Sequence, residues 1–185
     1  MSEFTLQTPD SAPEAARPLL RGARDKTGFV PNLYANLANA PAALEAYFGL
    51  SAQFDKTSFN PVERQVVLLA ASVENNCEFC VAAHSLIARK VAKAPDAVVD
   101  ALRSGTTLPD ARLEALATFT RRMVKERGEV AGAPLQAFLK AGFTHQQALE
   151  VVLGVTMKTL SNYTNHLTET QTNEQFASEA WKRQA

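Results

Sequence analysis

No run of about 18 consecutive apolar residues, the least that spans a bilayer as a helix, occurs in this sequence, which excludes an α-helical membrane span. Net charge is also lacking. The 19 lysines and arginines are balanced by 19 aspartates and glutamates, so the broad basic footprint of a nucleic-acid binder is excluded. Cysteine occurs only twice, too rarely for a disulfide framework. At 185 residues a chain buries roughly 70% of its unfolded surface and needs neither metal nor disulfide to hold a core. Eight glycines and nine prolines fall below the usual share of about 12%. Low-complexity segments, long runs of one charge and repeats of 20–50 residues are missing as well. The opening Met1-Ser2-Glu3-Phe4-Thr5 has neither the basic nor the apolar region of a secretory signal. The expectation is a soluble, cytoplasmic protein with no nucleic-acid or membrane partner, built as one domain with at most a short appendage.

What the sequence has in abundance is alanine, 31 copies, and leucine, 20 copies, both strong helix formers. Start and stop signals divide the chain into about eight helices. Pro18 interrupts or restarts any helix near the N-terminus. Gly28-Phe29-Val30-Pro31 reads as a turn before a short helix ending at Leu37, and Pro41 opens the next, with Leu44, Tyr47, Phe48 and Leu50 as its apolar stripe. Asn60, Pro61 and Glu63 spell a capping box ahead of Val62, Val66, Leu69, Ala70 and Val73 at helical spacing. Asn75-Asn76 pinches that helix and caps the one following, from Cys77 to about Val91. Pro95, Asp110, Pro134 and the Thr144/Gln147 pair begin four more, the last running to about Thr168. Phe176 and Trp181 in the polar tail are large enough to dock on a neighbour.

Both cysteines fall in Cys77-Glu78-Phe79-Cys80, and His84 follows one turn later. Residues three apart on a helix share a face about 5–6 Å apart, inside the range that a disulfide tolerates. Near a helix N-terminus, unpaired amides and the macrodipole favour the thiolate. Cys80 and His84 are four residues apart, the helical spacing at which an imidazole meets a thiol. The chemistry this suggests is thiolate attack on an electrophile, with a second thiol to resolve the product. Two other readings remain. A metal site of Cys77, Cys80 and His84 lacks the fourth protein ligand of a structural zinc, and two buried cysteines serving as small apolar residues explain no histidine.

The segment Leu68-Leu69-Ala70-Ala71-Ser72-Val73-Glu74-Asn75-Asn76-Cys77-Glu78-Phe79-Cys80-Val81-Ala82-Ala83-His84-Ser85 closely resembles the active-site segment of the alkylhydroperoxidase D / carboxymuconolactone decarboxylase family. Phe29-Val30-Pro31-Asn32-Leu33 and Asn162-Tyr163-Thr164-Asn165-His166 match it as well. The resemblance implies an all-α bundle of the alkylhydroperoxidase D type. Its expected boundaries are an N-terminal helical extension over 1–27, the family domain over 28–170 and a C-terminal tail over 171–185. It implies a homo-oligomer, trimer or hexamer, and a peroxidase that reduces hydroperoxides and is recycled by a thiol or dithiol donor such as a lipoyl or thioredoxin-like protein. Cys80 is then the thiolate that attacks the O–O bond and becomes a sulfenic acid, Cys77 the residue that condenses with it to a disulfide, and His84 the base that keeps Cys80 ionised. No cofactor and no metal is called for.

Two family positions differ. The relay glutamate twelve residues before the first cysteine is Gln65 here, and the histidine between the cysteines is Phe79. Glu74, one turn before Cys77, is the candidate substitute, and Glu63 is accounted for by its capping box. His145 reads as a solvent-facing residue of a first turn. His166 suits a helix C-terminus, or with Asn162 lines the active-site wall. The alternatives in function are a lyase or isomerase of the decarboxylase branch, which needs acid–base groups and an anion clamp rather than two thiols, and a non-catalytic redox-sensing helical module.

Overall fold

Caps and prolines set the helix starts in the computed structural model, which describes residues 3–182. Its nine α-helices are α1 (Arg17–Thr27), α2 (Asn32–Leu37), α3 (Pro41–Phe54), α4 (Pro61–Glu74), α5 (Glu78–Lys90), α6 (Asp96–Ser104), α7 (Ala111–Lys125), α8 (Ala133–Lys140) and α9 (His145–Leu167). Two 3₁₀ turns, Glu14–Ala16 and Glu174–Glu179, complete the regular structure, and no strand forms among the described residues. The first two residues of the expected extension and the last three of the expected tail lie outside the described residues.

The capping boxes form as read. Asn60 accepts from the Glu63 amide while the Glu63 carboxylate accepts from the Asn60 amide, and Thr144 and Gln147 do the same for α9. Pro18 restarts the chain rather than breaking it, since it occupies the second position of α1, where its missing N–H is needed by no carbonyl. That helix, which falls within the helical extension expected over 1–27, and both 3₁₀ turns are the elements beyond the eight read from sequence.

A surface helix shows one apolar stripe; a helix apolar all round belongs inside. The run Val66–Ser72 of α4 is buried at every position, as is Phe79–Ser85 of α5. Accordingly α4 is the hub, packed against α5, α6, α7 and α9, with α3 laid on α9. The close approach of α9 depends on Gly154. A Cβ there would lie 2.7 Å from both Phe54 Cε2 and Val67 Cγ1, so α3 and α4 sit nearer its backbone than any side chain allows. This contact brings the inner face of α9 across the start of α5. Among the described residues no helix is long and apolar enough to cross a membrane.

Candidate active site

The turn between α4 and α5 carries both sulfurs. Asn76 adopts the left-handed conformation at φ 53°, which a short polar residue tolerates better than most. The Asn76 and Cys77 amides fold back on the Val73 and Ser72 carbonyls at 2.9 Å each. Cys77, rather than the Asn75-Asn76 pair expected to cap it, thereby becomes the N-cap of α5, since the Asn75 side chain turns to Asn162. Cys80 follows three residues further on, in the first helical turn. Glu78 in the first turn and Arg89 and Lys90 in the last turn oppose the helix dipole at each end. Both cysteines are free thiols, 1% exposed.

The groups that reach them come from α9. Asn165 Nδ2 donates to Cys80 Sγ at 3.2 Å and to Cys77 Sγ at 3.5 Å, and Ser161 Oγ lies 3.9 Å from Cys80 Sγ. Lys158, fully buried, hydrogen-bonds the Cys80 sulfur and places Nζ 3.0 Å from His84 Nε2. On its other side His84 Nδ1 lies 3.1 Å from Gln65 Oε1. An ammonium only donates, so Nε2 accepts and Nδ1 carries the proton that Gln65 receives. His84 therefore meets Cys80 through Lys158: both ring nitrogens are occupied, and the cation beside the sulfur is an ammonium that the sequence reading did not include.

These neighbours separate the two thiols. Burial pushes the Cys80 thiol up, but the hydrogen bond from Cys77, the Lys158 charge and hydrogen bonds from Lys158 and Ser161 outweigh it and hold the group at about 5. Cys80 is thus a thiolate at neutral pH. Cys77 is pushed up by donating to that sulfur and by its own burial, and it keeps its proton. Burial, reinforced by the Lys158 charge, holds the imidazole of His84 well below its usual range, so the ring stays neutral.

Each sulfur opens on a different space. Cys80, His84 and Lys158 line an apolar cavity of about 190 Å³ walled by Phe29, Tyr34, Tyr47, Phe79 and Phe176. Tyr34 and Tyr47 hydrogen-bond one another in that wall, and burial raises both phenols. Cys77 instead lines a groove of about 280 Å³ edged by Asn76, Glu78, His166, Glu169 and Gln171.

The remaining candidates are spread outward. Glu74 is ion-paired with Lys125 at 3.8 Å and half-buried, apart from the side chains that touch the sulfurs. Glu63 divides its carboxylate between the Asn60 cap and Arg112. His145 is exposed. His166 edges the Cys77 groove with Nε2 3.4 Å from the Asn76 carbonyl, and Asn162 accepts from Asn75 Nδ2 at 3.0 Å. Among the described residues no three His, Cys, Asp or Glu side chains are grouped to hold a metal ion. Sequence reading missed Lys158, Ser161 and Asn165 as a set. The available signal was their spacing: they continue the buried face of Val151, Gly154 and Met157, where polar residues are out of place unless they do something.

Residues 38–122 match the Carboxymuconolactone decarboxylase family. The fold is similar to the alkylhydroperoxidase AhpD core of an uncharacterized peroxidase-related protein from Ralstonia eutropha JMP134, at TM-score 0.83 and 27% identity over 95% of this chain and 94% of that one. It is similar too to an uncharacterized peroxidase-related protein from Silicibacter sp. TM1040, at TM-score 0.81 and 19% identity over 96% and 95%. The debrominase Bmp8, solved with 2,3,4-tribromopyrrole, shares the fold at TM-score 0.77 and 17% identity over 97% of each chain. No curated protein matches the chain significantly. With the Cys-X-X-Cys-X-X-X-His segment at the start of a central helix, residues 38–122 match the Carboxymuconolactone decarboxylase family and the fold around them is that of the alkylhydroperoxidase AhpD core.

Proposed function

We propose that the protein is a thiol-dependent hydroperoxide reductase whose Cys80 thiolate is charge-balanced by Lys158. The observation that carries this reading is the pairing of a thiol held at about 5 with a neighbouring thiol that keeps its proton. A nucleophile and a resolving group need opposite protonation states, and these two have them. The Cys80 sulfur attacks the terminal peroxide oxygen; an S–O bond forms, the O–O bond breaks, and the leaving alkoxide takes a proton from the Lys158 ammonium. The Cys77 sulfur then displaces hydroxide from the sulfenic acid, its own proton completing water, and a Cys77–Cys80 disulfide results. A dithiol donor, a lipoyl group or a thioredoxin-like protein, returns both thiols, meeting Cys77 from its groove. Gln65 holds the His84 tautomer and His84 holds Lys158; neither ring nitrogen needs to take the thiol proton.

Steady-state peroxide consumption with dihydrolipoamide as donor tests this reading. One equivalent of hydroperoxide should remove both titratable thiols, and Cys80→Ser should abolish turnover with the helical fold retained. Turnover that survives Cys80→Ser would overturn the reading.

The aromatic cavity beside Cys80 favours one second reading, reductive removal of a ring bromine. The Cys80 thiolate attacks bromine, an S–Br bond forms as the C–Br bond breaks, the ring carbon takes a proton, and Cys77 displaces bromide to give the disulfide that the dithiol donor reopens. Bromide release from 2,3,4-tribromopyrrole in the absence of peroxide reduction would select it. Self-association as a trimer or hexamer is part of the proposal. Leu149, Val152, Tyr163 and Leu167 are exposed along α9 and supply apolar surface for it, and sedimentation equilibrium measures it.

A further inference from the structure

Residues 171–181 are fastened against α2, α5 and α6. Along 171–180 only Asn173, Phe176 and Glu179 turn inward, a spacing of three that matches the period of the 3₁₀ turn they sit on. Each has a distinct attachment. Asn173 Oδ1 accepts from the Asn32 amide at 2.9 Å, and Asn32 Nδ2 donates to the Gln171 carbonyl at 2.9 Å, which latches the segment to α2. Glu179 pairs with Arg89 at 3.0 Å and Arg103 at 3.5 Å, while Arg103 also donates to the Glu179 and Ala180 carbonyls at 3.0 Å each. Trp181 Nε1 returns a bond of 2.9 Å to the Arg103 carbonyl. Between the two latches Phe176 enters the Cys80 cavity, edge-on to Phe29 and Phe79 with ring centroids 5.7 Å away in both cases.

We propose that residues 171–182 form a strap over the Cys80 cavity, and that Phe176 sets the upper size of the molecule that reaches the Cys80 sulfur. The inference rests on the peroxidase reading for its substrate: a compact apolar organic hydroperoxide. Cavity size argues for compactness, since a void of about 150 Å³ lined by apolar side chains just holds benzene and this one measures about 190 Å³. The strap's makeup argues that it lifts. Two aromatic rings, Phe176 and Trp181, and a few polar latches hold it, the remaining side chains are exposed, and segments with few buried apolar contacts open first.

Alkylation of Cys80 in a Cys77→Ser background, located by mass spectrometry, measures access without any peroxide. Phe176→Ala should speed reaction with N-phenylmaleimide by at least about tenfold and with iodoacetamide by less than about twofold, because only the larger reagent waits on strap opening. Glu179→Ala, which leaves the cavity wall intact and frees one latch, should act in the same direction. Equal acceleration of both reagents, or of neither, overturns the strap. Selectivity between cumene and tert-butyl hydroperoxides, followed in the chain with both cysteines, should shift towards cumene hydroperoxide in Phe176→Ala. If alkylation selectivity moves while no peroxide is consumed, the strap stands and the peroxidase reading falls; the converse pattern retains the peroxidase and removes the strap.

Discussion

Lys158 Nζ lies 3.0 Å from His84 Nε2 and hydrogen-bonds the Cys80 sulfur, so one buried ammonium joins the imidazole to the thiolate. This arrangement accounts for the two family positions that differ. Where the resemblance calls for a glutamate and a second histidine, this chain has Gln65 and Phe79; the Lys158 charge favours the thiolate directly, and the amide at position 65 orients the ring.

Removing that charge should restore an ordinary thiol. In Lys158→Met the midpoint of Cys80 alkylation against pH should rise from about 5 towards the usual ~8.5. At pH 7 the alkylation rate should fall by roughly tenfold or more, since most of the thiol is then protonated. Thiolate absorbance near 240 nm gives an independent titration, and an unmoved midpoint would exclude Lys158 as its cause.

The same thiolate makes stability depend on pH with a definite sign. Below about 5 folded and unfolded chains both hold the Cys80 proton, and the group contributes nothing. Between about 5 and the unfolded value near 8.5 only the unfolded chain holds it, so unfolding free energy climbs with pH by at most about 1.4 kcal/mol per unit. The contribution is complete above the unfolded value and is lost on descent through the folded one. His84, held low by burial and Lys158, adds destabilisation in the same direction as pH falls below its usual range. Urea unfolding across pH 4–9 should show this rise in the reduced protein and a shallower one in Cys80→Ser.

Restoring the family residue is informative. Gln65→Glu places a carboxylate on His84 Nδ1–H, and an opposite charge at that distance raises an imidazole. The His84 ring resonances should titrate at higher pH than in the parent, and the Cys80 midpoint should move up as the new negative charge offsets part of Lys158. A fall in either would contradict the assigned tautomer.

Gly154→Ala tests the packing that places the site. The new methyl group meets Phe54 and Val67 at 2.7 Å, and overpacking of this kind costs about 1–3 kcal/mol. Thermal and urea unfolding should register that loss; because α9 must back away, Cys80 alkylation should also lose its low-pH midpoint.

Much of the scaffold was legible because its signals are local. Asn60 with Glu63, Thr144 with Gln147, and the Asn75-Asn76 pinch each act within one turn, and so did the cysteine pair at the start of α5. What stayed hidden depends on distant segments meeting. Lys158 is 74 residues from His84, and no periodicity tells a buried lysine from an exposed one until α4 and α5 are laid against α9. Glu74 shows the converse: its closeness in sequence to Cys77 drew attention, yet the helix carries it outward to Lys125. Phe176 and Trp181 announced a docked tail, but its seat was legible only once α2, α5 and α6 were in place.

The buried ammonium also ties charge to oxidation state. In the proposed cycle Lys158 gives its proton to the leaving alkoxide as Cys80 loses its negative charge, so the disulfide form holds neither the anion nor the cation in the dry interior. In that cycle re-reduction returns a proton to Lys158 as it regenerates the Cys80 thiolate, so the buried pair is discharged and recharged together.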